Sequence, residues 1–203
     1  ENVMLGDYGE VLVMDWGLAA GSDTDSKAEP LTEGSGRAGT PAYMAPEMAA
    51  GQHDKIGPAS DIYLLGGILY EIVTGLKPHT GDSVYACLYQ AMQNVIQGRS
   101  EERGTGSEDE RTSNIEHRTL NVEGRSELID IALHAMETEP EDRFPDVKGL
   151  QQAIRDFRKH QESIKLADSA EKQLTTADES GTYDDYARAL FGFREALKAW
   201  PEN

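Results

Sequence analysis

Four apolar residues, Val11-Leu12-Val13-Met14, run straight into Asp15, and Trp16-Gly17 follows at once. A strand ending in Asp-x-Gly holds a carboxylate rigidly at a surface, where the glycine lets the chain turn away. Hard divalent cations take oxygen ligands, so an acid in this setting suits a metal. Read from these residues alone, the pattern is an ordinary strand-end turn. The elements around it have to decide between the two.

Val3-Met4-Leu5 and the Val11 to Met14 run flank Gly6-Asp7-Tyr8-Gly9, and together they read as a β-hairpin. Residues 21 to 38 are polar, contain Gly, Ser and Pro, and lack periodicity, which predicts a loop. Pro58-Ala-Ser-Asp61 opens an apolar helix that ends at Gly75 with Pro78 beyond. It is apolar on nearly every side and so reads as a core element. A shorter helix is expected within Ser83 to Gln97. Residues 98 to 118 are charged and nearly free of apolar groups, which predicts a disordered insertion. Leu128, Ile131, Ala132 and Ala135, then Val147, Leu150, Ile154 and Phe157, mark two amphipathic helices over 127–137 and 147–160.

Composition bounds what such a chain can do. Its 203 residues suffice for one domain, or one domain with a small addition. Nineteen basic against 37 acidic side chains give a net charge of −18, which argues against a nucleic-acid surface or an acidic-lipid anchor. The single Cys87 allows no internal disulfide and suits a cytoplasmic setting. No apolar run reaches the roughly 20 residues that span a bilayer. The five histidines are scattered without metal-ligand spacing. Glu1 in place of a methionine reads like a cut into something longer.

The order of motifs resembles the C-terminal lobe of a Hanks-type bacterial serine/threonine protein kinase, from Asn2 to about Phe157. Glu1-Asn2 is similar to the end of the catalytic loop, and Asp15-Trp16-Gly17 stands where these kinases have Asp-Phe-Gly. Gly39-Thr40-Pro41-Ala42-Tyr43-Met44-Ala45-Pro46-Glu47 matches the segment that ends the activation loop. Asp61 at the head of the apolar helix and Arg143 in EPEDRF complete the order. Trp16 departs from the usual Phe, and its bulk is expected to pack inward.

The resemblance implies an α+β protein-kinase-like fold, of which this chain is the mainly α-helical C-terminal lobe with one short β-hairpin. It implies ATP and Mg²⁺ as cofactors, with Asp15 bridging metal and phosphates and Asn2 holding a second ion. Gly17, Gly39, Thr40 and Pro41 would shape the activation segment and peptide groove, with Thr40 favouring serine or threonine as acceptor. Glu47 and Arg143 would form a buried ion pair across 96 residues. Asp61 would cap its helix or hold the catalytic loop from beneath. Ser22, Thr24, Ser26, Thr32 and Ser35 are the phosphosite candidates of the polar loop; a solvated loop without a switch remains open.

Ala177, Ala189, Phe193, Ala196 and Pro201 fall at intervals that resemble one tetratricopeptide repeat. Its helices would be LADSAEKQLTTADE and TYDDYARALFGFREALKAWPEN; a plain helical hairpin is the alternative. One repeat cannot bury its own face, so it would dock on the lobe, receive further repeats, or bind a protein partner. The division expected is therefore a kinase lobe over 1–160 and a helical hairpin over 161–203. No phosphate-covering Gly-rich loop, strand lysine or His-Arg-Asp aspartate is present, so the catalytic Asp is expected upstream and this segment alone is catalytically incomplete. The leading expectation is ATP-dependent phosphorylation of serine or threonine in protein substrates; the alternative is a pseudokinase-like scaffold with a repeat tail.

Overall fold

The structure, a computed structural model, describes residues 2–15, 39–98 and 122–201. Trp16, Gly17, the five phosphosite candidates and all of the charged insertion but Gly98 lie outside these described residues. The first element is an antiparallel hairpin of β1 (Val3–Leu5) and β2 (Val11–Val13), in which Val3 pairs with Val13 and Leu5 with Val11. All six strand residues are exposed, from Met4 at 51% to Leu5 at 77%. A two-stranded ribbon with no covered face is marginal by itself.

A short 3₁₀ turn, Pro41–Tyr43, leads into α1 (Pro46–Ala50). α2 (Pro58–Thr74) starts on Pro58 and stops at Gly75, which takes the left-handed conformation (φ 77°) that glycine tolerates best. α3 (Val84–Met92) is capped by Ser83, whose hydroxyl accepts from the Ala86 N–H. α4 (Val122–Ala135) packs along α2, and together they form most of the core's centre: Tyr63, Tyr70, Ala132 and the following Met136 in one cluster, Ile62 and Ala135 in the next, where Leu150 joins them from beyond α4.

The helices α2 and α4 approach so closely because α2 carries glycine at the crossing. A Cβ built on Gly66 would lie 2.7 Å from the Ala135 Cβ and 3.0 Å from the Ala132 carbonyl oxygen. Neither neighbour is a flexible side-chain end, so the helices would have to separate. Gly66→Ala is expected to lower stability by about 1–3 kcal/mol, despite alanine's better helix propensity. Urea unfolding of the variant beside the native chain checks the sign.

Two expectations change. The apolar helix is not covered on all sides: Leu65, Ile68 and Ile72 form an exposed stripe, with Ile72 at 70%, while Ile62, Tyr63, Gly66 and Tyr70 face the core. The helices expected at 147–160 and in the tail are one element, α5 (Val147–Ser180), 34 residues without a break. The expected division near residue 160 therefore falls inside a helix. Gly181 turns the chain into α6 (Tyr183–Ala199), which returns along α5. Small residues line that crossing: Ala170, Ala177, Ala189 and Ala196 are all at most 2% exposed. The Ser163 hydroxyl donates to the Ala196 carbonyl (2.7 Å). A Cβ on Gly192 would meet the Ala170 Cβ at 2.8 Å. Among the described residues no helix is long and apolar enough to cross a membrane.

Candidate functional site

The hairpin register decides where its polar ends go. Val3 opposite Val13 places Asn2 beside Met14, whose N–H donates to the Asn2 carbonyl (2.8 Å), and Asp15 follows directly. Asn2 and Asp15 thus leave the ladder at the same open end, both exposed. Asp15 takes a positive φ of 61°, a conformation that Asp tolerates better than most residues. Among the described residues no group of three or more His, Cys, Asp or Glu side chains could hold a metal ion. A carboxylate and an amide oxygen at one edge still fit magnesium, which keeps waters and takes one or two protein oxygens together with substrate phosphates.

The second part of the site is the segment from Gly39 to Glu47. Gly39 has φ 123°, a backbone conformation that an L side chain rarely adopts, and a Cβ there would also touch the terminal methyl of Met44 at 3.3 Å. Thr40 precedes the 3₁₀ turn, and the Tyr43 N–H donates back to its carbonyl (3.0 Å). Tyr43 pins the turn to α2: its hydroxyl donates to a Glu71 carboxylate oxygen at 2.5 Å. Burial first, and then the neighbouring Glu71 carboxylate, push the Tyr43 phenol up to about 12. The Ala42 carbonyl accepts from the His79 backbone N–H (3.0 Å), which ties the same turn to the loop after α2. Nothing in the sequence pointed to Glu71 or His79; Tyr43 was visible only as part of the matched motif.

Glu47 and Arg143 meet as expected. The guanidinium Nη1 and Nη2 each donate to one carboxylate oxygen at 2.8 Å, and the two side chains are 2% exposed or less. The remaining Arg143 donors are also used. Nε donates to the Glu137 carbonyl (2.8 Å), Nη1 to Ala59 (2.9 Å) and Nη2 to Thr138 (3.1 Å). Five N–H donors thus reach five acceptors, the full capacity of the group. Its plane also sits 4.9 Å from the centre of the Tyr63 ring. On the other side Ser60 donates its hydroxyl to Glu47 (2.7 Å) and accepts from the Gly57 N–H (3.2 Å). Burial alone would raise the Glu47 carboxyl; the hydrogen bonds from Arg143 and Ser60 outweigh it and hold the group below its ordinary value.

Asp61 does not cap α2. Gly57 is the cap residue, and its N–H is taken by Ser60. The Asp61 residue surface is exposed, yet the protein mass beside the carboxylate removes enough water to raise its pKa. Among the described residues no hydrogen bond holds that carboxylate. A desolvated acid at the head of a core helix is suited to receive a donor from outside them.

Comparison with known proteins gives the chain a family. The family profile described as a protein kinase domain matches residues 1–156. Over 94 residues the chain is 40% identical to a probable serine/threonine-protein kinase PknB of Bifidobacterium longum, covering 46% of this chain and 13% of that protein. Over 95 residues it is 44% identical to a DNA damage-responsive serine/threonine-protein kinase RqkA of Deinococcus radiodurans, covering 47% and 14%. PknB of Mycobacterium tuberculosis is 40% identical over 89 residues, covering 44% and 14%. The matched stretch is thus about one-seventh of each curated relative.

Proposed function

Since the chain belongs to the protein kinase family, we propose that it forms the magnesium edge and substrate-binding segment of an enzyme that phosphorylates serine or threonine in proteins. The observation that carries this reading is the buried Glu47–Arg143 clamp, which seats the whole Gly39–Glu47 segment on α2 and the end of α4. A loop held so firmly is a template for an extended peptide, and in phosphoryl transfer positioning supplies most of the catalysis.

ATP with Mg²⁺ would supply the phosphoryl group and neutralise its charge. Asp15 is the group assigned to the ion between protein and phosphates, and Asn2 to a second ion. Gly17 is assigned to the activation segment that follows Asp15. Thr40 offers a hydroxyl beside the acceptor side chain. Asp61 is assigned to the backbone of the catalytic loop; its raised pKa, and a carboxylate that no described residue hydrogen-bonds, support this assignment. The apolar stripe of Leu65, Ile68 and Ile72 and the exposed hairpin are surfaces that the rest of such a lobe would cover. Phosphorylation at one of Ser22, Thr24, Ser26, Thr32 or Ser35 is the proposed activating event.

The hairpin of α5 and α6 is assigned to a single tetratricopeptide-like repeat over 161–203, joined without a linker to the lobe over 1–160. Its small residues at the crossing support the assignment, and Tyr183, Leu190, Phe191 and Leu197 remain exposed for a protein partner. A cytoplasmic enzyme without nucleic-acid or membrane contact from this segment agrees with its net charge of −18. The test is direct. A protein containing this chain together with an N-terminal lobe is incubated with radiolabelled ATP, Mg²⁺ and a protein acceptor, and the labelled amino acids are identified. Phosphoserine or phosphothreonine is expected. ATP-independent partner capture with no transfer would favour a pseudokinase-like scaffold.

A further inference from the structure

His79 is 1% exposed and lies in the loop after α2, and the mechanism above uses only its backbone. Its side chain belongs to a polar network whose protons can be counted. Nδ1 is 2.9 Å from the Val95 carbonyl oxygen, which can only accept, so Nδ1 carries a proton. Asn94 turns its amide nitrogen to the Met136 carbonyl (2.9 Å) and to the Thr138 hydroxyl (3.0 Å), which leaves its Oδ1 as an acceptor. Tyr63 Oη is 2.6 Å from that Oδ1 and therefore spends its only proton there. The Tyr63 oxygen is also 2.9 Å from His79 Nε2. With neutral imidazole no proton is left for that contact. The network is complete only when Nε2 carries one too.

We propose that His79 is a proton-binding positioning residue, held as the Nδ1–H tautomer, and that proton uptake at Nε2 completes the Tyr63–Asn94 network beneath the Gly39–Glu47 segment. The network joins α2, the end of α3 and the end of α4, while the His79 N–H holds the Ala42 carbonyl. One event at the imidazole therefore reaches every element on which the segment rests. Burial opposes the charge and draws the His79 pKa down, and the Val95 and Met44 carbonyls act the other way. Other titratable groups on these elements include Asp61 at the head of α2, Tyr70 bonded to the Gln97 carbonyl, Glu71 engaged by Tyr43 and Lys77 in the His79 loop. They also include the Cys87 thiol donating to the His79 carbonyl, His134 against Phe144, Glu137 just past the end of α4, and the Arg143–Glu47 pair against Tyr63. None is a hydrogen-bond partner of the imidazole. Proton uptake by His79 is thus set by neutral partners, and pH reads out their geometry. Only its bearing on a peptide groove rests on the kinase reading; the proton is observable without any activity.

The test is a pH series of long-range ¹H–¹⁵N spectra of the whole 203-residue chain, with His79→Gln to assign the signal. At high pH the ring is expected as the Nδ1–H tautomer. On acidification Nε2 should protonate reversibly, below the midpoint of an ordinary histidine, with the Asn94 side-chain amide and Ala42 signals moving at the same pH. Tyr63→Phe keeps the ring but removes the acceptor, so proton affinity at His79 should fall roughly tenfold. Should that variant not fold, Asn94→Gly is a second route, because position 94 has φ 49° and glycine accepts that backbone. There Tyr63 is freed to donate to Nε2, and proton affinity should again fall. An Nε2–H tautomer at high pH overturns the proposal. So does a midpoint that neither variant moves, or an imidazole that stays neutral until the chain unfolds.

Discussion

Arg143→Met is expected to cost about 3–5 kcal/mol of folding stability, because it leaves the Glu47 carboxylate buried without its cation. The loss exceeds one ion pair. Arg143 also satisfies the carbonyls of Ala59, Glu137 and Thr138, each of which would need another donor. Arg143→Lys should recover little, since a point charge cannot serve five separated acceptors. A Glu47→Leu, Arg143→Met double variant should recover more than the lysine, because no buried charge remains. Urea unfolding of the four proteins at neutral pH checks the order.

The pH dependence carries the sign. In the native chain Glu47 sits below its unfolded value of 4.5, so its stabilisation is present above that pH and is lost as pH falls through the folded value. In Arg143→Met the carboxyl keeps its burial and loses its strongest donor, so its pKa should rise above 4.5. The difference between the two proteins should then shrink on acidification. A gap that widens toward low pH would mean that the pair is not the source of the loss.

How much of this was legible before the structure depends on what each feature needs. The hairpin needs only alternating short apolar runs and a glycine-bearing turn, and the Pro58 and Gly75 boundaries of α2 are stop signals carried by single residues. The Glu47–Arg143 pair was readable from motif order, since both partners are charged side chains at recognisable positions. The other three acceptors of Arg143 are backbone carbonyls, which have no letter in the sequence. The same holds for His79. It becomes notable only when folding brings Tyr63, Asn94 and Val95 to one place, and nothing in their spacing announces that. The exposed side of α2 was unreadable for another reason: Leu65, Ile68 and Ile72 are apolar like the buried face, so period and composition could not separate the two. The unbroken α5 was more accessible. Between Lys148 and Ser180 the only glycine is Gly149 and there is no proline, so no breaker separates the expected helices. The division near residue 160 was set by where the kinase resemblance and the repeat-like tail meet, and neither of those marks a helix end. His160 sits at that division, 2.9 Å from Glu127 of α4 and stacked on Trp200 beyond α6.

Asp15→Asn in a protein that contains the whole kinase fold is expected to reduce phosphoryl transfer by roughly a hundredfold or more. Asparagine preserves the size and one oxygen of the side chain while removing the charge that a magnesium ion needs from its main ligand. Folding should be untouched, because Asp15 is exposed and the described structure gives its carboxylate no buried partner. The variant's unfolding midpoint should therefore match that of the native protein within experimental error. Raising the Mg²⁺ concentration should restore part of the rate, since the defect is one of ion affinity. Asn2→Ala should show the same dependence in milder form, as loss of a neutral ligand at the same open end of the hairpin. The two readings of the Asp-x-Gly pattern separate here. A strand-end turn predicts that asparagine, which tolerates the φ of 61° at this position as well as aspartate does, leaves both turnover and stability unchanged. A metal ligand predicts loss of turnover with stability intact and rescue by magnesium, a combination that no turn residue can produce.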